Sequence, residues 1–382
     1  MKSSFEFNNP TKLIFGKGSI AKLVKELPQN EKILVTYGGG SVKQNGVYEQ
    51  VCQALQGFNY IEFWGIEPNP TVETLRKAIA LGKQEKITYI LAVGGGSVID
   101  GSKLISSAIP YEGDAWELVL KPSKIGKMIP FASVLTLPAT GSEMNSGAVI
   151  SNAKTQEKYA FYSSFPQFSI LDPTVTYSLP DFQIACGIAD TFIHVLEQYL
   201  TVTDESPLMD RWSEGILQTL VELAPKIKAH KTNYEAMAEF MLCATMALNG
   251  FTAMGVTEDW ATHLIGHEIT ALHGITHGQT LAIVILGTMK VMHEQKKEKI
   301  LQLGARVFHI VEGTEEQRID KTIAACEQFF RKIELATKLQ ELNIGKETIT
   351  TIKERFIKRN TQLGECQNID GNVVEEILMF CL

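Results

Sequence analysis

An N-terminal α/β domain of Rossmann-like, parallel-sheet type followed by an all-helical C-terminal domain is the fold class this sequence predicts. Three observations predict it: the placement of proline, the alternation of strand-like and helix-like segments in the first half, and two triple-glycine turns at strand ends. Ten of the 13 prolines precede residue 180, and none lies in 226–382. A long proline-free stretch suits helices, because proline removes a helix hydrogen bond and clashes with the preceding turn. In the first half, β-branched or aromatic runs at 32–37, 60–63 and 89–93 flank helical patterns at about 45–56 and 71–85, the strand–helix–strand spacing of parallel crossovers. Further apolar runs at 131–135 and 168–171 extend this part to about Leu179. Pro180-Asp181, a proline beside a capping-type residue, opens a helix and sets the expected domains at 1–180 and 181–382. Helical spacing of apolar residues then marks 211–227, 234–248 and 322–335.

Hydrophobic residues make up 45% and charged residues 21% of the 382, a globular balance that excludes a disordered chain or a fibre. With 36 basic and 43 acidic side chains the net charge is −7, and no dense Lys/Arg tract tracks a phosphate backbone, so nucleic acid is not an expected partner. The apolar stretch at 281–286 falls far short of the roughly 20 residues that span a bilayer. The first residues contain no continuous apolar run of the signal-peptide kind, and a cytoplasmic protein without membrane partners is expected. The six cysteines, at 52, 186, 243, 326, 366 and 381, form no Cys-x-x-Cys pair and read as reduced thiols.

Two strands end in glycine clusters, Tyr37-Gly38-Gly39-Gly40-Ser41 and Val93-Gly94-Gly95-Gly96-Ser97. The second lies between a strand and a helix starting near Ser97, where unobstructed backbone N–H groups and the positive helix end suit a pyrophosphate. Neither cluster is the Gly-x-Gly-x-x-Gly fingerprint or the Gly-Lys-Ser/Thr phosphate loop. NAD-specific sites place an acidic residue near such a strand end to bond the ribose 2′-hydroxyl. Tyr37 and glycines stand there instead, with Ser41 and Lys43 following, which favours NADP(H) over NAD(H). The segment Thr136-Leu137-Pro138-Ala139-Thr140-Gly141-Ser142-Glu143 places hydroxyls just after a strand, where they either bond a ribose or phosphate or form an ordinary polar loop.

Four of the eight histidines, His263, His267, His273 and His277, fall within 15 residues. His263 and His267, on a helix expected from Glu258, share one face, as do Asp190 and His194 in the helix that opens the second half. Imidazole nitrogens with one carboxylate oxygen suit Zn(II) or Fe(II), whereas calcium and magnesium prefer oxygen alone. Spacing does not choose among the four histidines. A metallopeptidase is the alternative reading of His263 and His267, but Leu264 stands where the zinc-protease helix carries glutamate, and Glu268 follows the second histidine instead. His230, His293 and His309 read as ordinary surface or core residues, and Cys186, four residues before Asp190, as a buried spectator.

Taken together, the glycine turns and the Asp/His cluster resemble the iron-containing (group III) alcohol dehydrogenases, particularly the butanol-dehydrogenase-like, NADPH-dependent aldehyde reductase branch. The resemblance runs over nearly the whole chain, through 9–18, 94–100, 136–143, Leu171-Asp172-Pro173 and 190–197. It implies a dehydroquinate synthase-like nucleotide domain with a helical partner domain, and metal ligands at Asp190, His194, His263 and His277. It places His267 and His273 near the nicotinamide or substrate as the catalytic candidates, with His267 as proton relay. Cofactor contacts are implied at Gly38, Gly39, Gly40, Ser41, Gly94, Gly95, Gly96, Ser97, Asp100, Thr136, Leu137, Thr140, Ser142 and Lys158. Thr276 before His277 departs from the proline many members carry. The implied reaction is reversible reduction of an aldehyde to a primary alcohol, with Fe(II) or Zn(II) polarising the carbonyl oxygen, in a homodimer. The rivals are a glycerol-dehydrogenase-like polyol oxidation with NAD and a nucleotide-binding sensor without catalysis.

Overall fold

The structure, a computed structural model, describes residues 4–201 and 206–382. These form two compact units: an α/β unit of residues 8–180 with 230–249, and a helical unit of 181–229 and 250–382 together with the described residues before Asn8.

The α/β unit is built on six parallel strands, β1 (Lys12–Phe15), β2 (Lys32–Tyr37), β3 (Asn59–Phe63), β4 (Tyr89–Gly94), β5 (Phe131–Leu135) and β8 (Phe168–Leu171). Their order across the sheet is β1-β8-β5-β4-β2-β3. An antiparallel hairpin, β6 (Gly147–Asn152) with β7 (Glu157–Tyr162), stands apart from it. The central strands are apolar at nearly every position because both faces are covered. Side chains alternate between faces, so Leu34, Ile90 and Ala92 enter one core while Ile33, Val35, Leu91 and Val93 enter the other. Crossover helices Val47–Ala54, Val72–Gln84 and Gly96–Ala108 supply those cores, the second started by the Thr71 hydroxyl accepting from the Thr74 amide. The chain runs outward from β2 to β3 and then returns to the other side of β2, so the strand order reverses between β2 and β4. In open α/β sheets that reversal opens a crevice at the carboxyl ends of the strands.

The helical unit contains Asp181–Tyr199, Pro207–Ala229, Ala261–His273, His277–Val291 and further helices to Gly371–Phe380. Ile265, Ile269, Ile283, Val284, Ile352, Phe356 and Ile377 form a common core from four of them. No described helix is long and apolar enough to cross a membrane.

Three features differ from the sequence expectation. Helix Tyr234–Ala247 belongs to the α/β unit, not to the helical one. It is apolar around most of its circumference, and its Thr245 hydroxyl donates to Glu143 Oε1 at 2.6 Å. The histidine-bearing helix begins at Ala261, not Glu258, because Trp260 takes a left-handed conformation (φ 66°) that no α-helix continues. Strand β1 and the β6–β7 hairpin are additions to the expected elements; β1 has only four residues, too few to show a period.

Behind the helical core, the Lys296 ammonium is buried between Asp259 (2.5 Å) and Glu365 (2.9 Å) and also donates to the Leu200 carbonyl. Removing one partner from such a cluster strands the others in a medium that solvates charge poorly. Lys296→Met is therefore expected to lower unfolding stability by about 3–5 kcal/mol, read as a shifted urea midpoint with unchanged slope.

Candidate functional site

The helix Asp181–Tyr199 is buried from Ile184 onward and carries Asp190, His194 and Glu197 at i, i+4 and i+7, hence on one face. His263 comes from the helix Ala261–His273 and His277 from the first position of His277–Val291. What brings the last of these close is Gly278. A Cβ there would lie 2.2 Å from the Cys186 carbonyl oxygen, a backbone atom that cannot swing aside. The glycine lets one helix start against the backbone of the other, and His277 arrives beside Asp190.

Asp190 Oδ1 lies 3.7 Å from His194 Nδ1, 3.7 Å from His263 Nε2 and 3.9 Å from His277 Nε2. Ligand atoms of Asp190, His263 and His277 all lie within 4.8 Å of one another, and His194 joins them through Asp190, its ring stacked on His263 at 4.5 Å between centroids. These separations are too long for hydrogen bonds. They match the gap between two ligands bonded at about 2.0–2.2 Å to a common ion. His194 Nδ1 and His263 Nε2 are buried and have no hydrogen-bond partner, so the residues fit a divalent cation. Burial pulls the His194 imidazole down to about 4, which keeps it neutral. His263 feels the same burial, but the Glu197 and Asp190 carboxylates outweigh it and raise the ring to about 9.

His267 is buried one turn beyond His263, its ring centroid 4.9 Å from that of His277. His273, the last residue of the same helix, is exposed, and its Nε2 pairs with the Thr348 hydroxyl at 2.9 Å. Glu268 is taken by Arg355 (2.9 Å) and Arg359, which removes the glutamate next to His267 in sequence from a peptidase role. The Cys186 thiol is buried and pushed up to about 12, so it is no thiolate at neutral pH. His293 pairs with the Lys290 carbonyl and takes no part.

In the α/β unit, Tyr37 of β2 pairs with Val93 of β4, so the turns Gly38–Gly40 and Gly94–Gly96 leave the sheet side by side at the point where the strand order reverses. Gly95 caps the helix Gly96–Ala108 without a side-chain acceptor, leaving its first amides available to an anion. None of these three glycines needs a positive φ; close contacts demand them instead. A Cβ at Gly94 would lie 2.5 Å from Val98, and one at Gly96 would lie 2.4 Å from the Thr140 hydroxyl. Leu137, partly buried, faces Gly95, and Thr136 ties its loop to β4 through its amide and the Gly94 carbonyl. Asp100 and Ser142 are buried and bonded to each other at 2.5 Å. The Lys103 ammonium, fully buried, donates to Ser142, Asn145 and the Gly147 carbonyl. Burial pulls Lys103 down to about 8 and pushes the Asp100 and Glu143 carboxyls upward, while their opposite charges counteract the shift. Lys158 is buried on β7 with its ammonium 2.9 Å from Asn69 Oδ1. Ser41 is exposed, and Lys43 sits 4.0 Å over the Trp64 ring, itself stacked on Tyr37.

Sequence reasoning missed Gly278, Lys103 and Glu197 as parts of these sites. Only Glu197 left a signal, its seven-residue spacing from Asp190.

Comparison with known proteins gives a consistent result. The family described as "Iron-containing alcohol dehydrogenase" matches residues 10–173, and "Fe-containing alcohol dehydrogenase family, C-terminal" matches 184–381. The chain is 45% identical to the NADPH-dependent aldehyde reductase YqhD of Escherichia coli strain K12, and 40% identical to a probable NADH-dependent butanol dehydrogenase of Bacillus subtilis, with 98% of each chain covered in both pairs. A crystal structure of E. coli YqhD superposes with a TM-score of 0.98 at 44% identity, covering 100% of this chain and 99% of that one.

Gly278→Ala is expected to push His277 off the cluster: the purified variant should hold less than about a tenth of the wild-type metal, by elemental analysis, while keeping its far-UV circular dichroism.

Proposed function

The chain belongs to the iron-containing alcohol dehydrogenase family and is an oxidoreductase, and we propose that it reduces aldehydes reversibly to primary alcohols with NADPH. The observation that carries the reading is the convergence of buried His194 and His263 and half-buried His277 on the buried Asp190 carboxylate. These four residues would hold Fe(II) or Zn(II), since the same mixed donor set accepts either. The ion, when bound, supplies Lewis-acid polarisation of the substrate carbonyl oxygen.

The rest falls to the chain itself. The Gly95, Gly96 and Ser97 amides bind the pyrophosphate, and Thr136 with Thr140 seats the ribose and nicotinamide, so the hydride donor is oriented before reaction. Overall, aldehyde, NADPH and a proton give alcohol and NADP⁺; the hydride goes to the carbonyl carbon and the proton to its oxygen. His267 relays that proton at a ring nitrogen, since imidazole titrates near neutrality. His273, exposed and paired with Thr348, contributes to the substrate side. A homodimer, which the family resemblance supports, in the cytoplasm completes the reading.

NADPH is favoured by the end of β2, where no carboxylate follows Tyr37 and where Lys43 brings a positive charge. Of the three glycines there, Gly38 is crowded by the Ile66 carbonyl at 3.3 Å and Gly40 needs φ 105°, whereas a side chain at Gly39 meets nothing within 4 Å. Gly39→Asp is therefore expected to fold normally and to lower kcat/KM for NADPH by about tenfold or more, with that for NADH unchanged or raised. Equal losses with both cofactors would count against the assignment. For the reaction itself, chelator-treated protein should not oxidise NADPH with butanal, and adding Fe(II) or Zn(II) should restore the rate. Tight NADPH binding without turnover under either ion would point to a different substrate class or to a sensor.

A further inference from the structure

We propose that Glu197 is a positioning residue for the metal centre: it fixes the tautomer and orientation of His263 so that Nε2, and not Nδ1, faces Asp190. The inference rests on the metal reading above and goes beyond it, because Glu197 is not itself among the ligands. Three observations carry it.

First, the Glu197 carboxylate is buried, at 2% exposure, and its Oε2 accepts from His263 Nδ1. A carboxylate accepts and does not donate, so Nδ1 carries a hydrogen and Nε2 is the ring nitrogen open to a metal, 3.7 Å from Asp190 Oδ1. Second, the same carboxylate grips the backbone of the helix that carries His263. Oε1 accepts the Thr262 amide at 2.6 Å, and Oε2 also accepts the His263 amide at 3.3 Å. Trp260 provides no side-chain cap; Asp259 Oδ1 accepts the Ala261 amide, and a carboxylate from another helix, Glu197, takes the next two where the helix end is positive. Third, Glu197 stands three residues after His194 and seven after Asp190 on one helix face, so a single rigid element holds two candidate ligands and the group that aims a third. Ring and backbone of His263 are thus referred to the same carboxylate, leaving the ring little freedom to turn.

The chemistry predicts a specific failure for Glu197→Gln. The amide side chain would offer one acceptor oxygen where the wild type has two. With that oxygen on the Thr262 amide, the –NH₂ faces Nδ1 as a donor, the imidazole proton moves to Nε2, and the nitrogen toward Asp190 is blocked. Glu197→Gln should therefore bind Zn(II) about 10- to 100-fold more weakly than wild type in competition with a chromophoric chelator. The metal-free variant should keep its unfolding midpoint within a few degrees of metal-free wild type; a merely structural role would lower that midpoint and leave the affinity alone. Glu197→Asp keeps both oxygens and should lose less affinity than Glu197→Gln. A measurement on the unaltered protein guards against a variant that does not fold: ¹⁵N spectra of the histidine-labelled, Zn(II)-loaded protein should show His263 protonated at Nδ1 and coordinated at Nε2. The reverse assignment, or Zn(II) affinity of Glu197→Gln within twofold of wild type, overturns the proposal and leaves the metal centre standing. A wild-type protein that retains no Zn(II) overturns the metal reading and this proposal with it.

Discussion

A carboxylate taken out of water must be paired, and the helical unit is arranged around one such group, Asp190, 3% exposed and faced by three imidazoles. The ring nitrogens stand 3.7–3.9 Å from its Oδ1, a spacing that suits a shared cation better than direct hydrogen bonds. The backbone around the site obeys the same constraint. Gly278 permits two helices to meet where any side chain would strike the Cys186 carbonyl, and Trp260 turns through a left-handed conformation so that the next helix starts within reach of Glu197.

Most of the α/β unit is legible in the sequence because its signals are local. Strands β2, β4, β5 and β8 are short apolar runs between turn residues, and the proline-free second half reads as helix. What local signals cannot carry is allegiance. Helix Tyr234–Ala247 follows helical segments in sequence and looks like one more of them, yet it packs in the α/β unit through Met241 and bonds Glu143 through Thr245. Its nearly uniform apolar surface names no partner. The start of the next helix is hidden for a related reason: nothing in the identity of Trp260 announces a positive φ.

The candidate site shows where spacing stops being informative. Four-residue spacing correctly puts Asp190 beside His194, but the equal spacing of His263 and His267 does not say that His263 faces the carboxylate. That choice is made by a tertiary contact, the Glu197 carboxylate on His263 Nδ1. His277 is separated from His263 by a helix end and a new helix start, and only the approach at Gly278 returns it to the same point. His273, equally close in sequence, ends on an exposed turn beside Thr348.

The two glycine turns look alike in sequence and are constrained in opposite ways. At Gly94 and Gly96 the protein itself occupies the space a side chain would need, with Val98 and Thr140 in contact range, so phosphate binding and internal packing make the same demand. The buried Lys103, Asp100 and Ser142 then lock the adjoining loop to the helix Gly96–Ala108. A turn held that tightly presents the same surface to any dinucleotide and has no freedom to discriminate. At the end of β2, Gly39 has open space around it and an ordinary φ. A side chain there would meet nothing within 4 Å and would leave the packing of the sheet undisturbed. On the proposed reading, discrimination between a ribose hydroxyl and a ribose phosphate would belong to the first turn, and the second would supply a constant hold on the pyrophosphate. That division of labour suits a fold whose full-length relatives carry both NADPH- and NADH-dependent names.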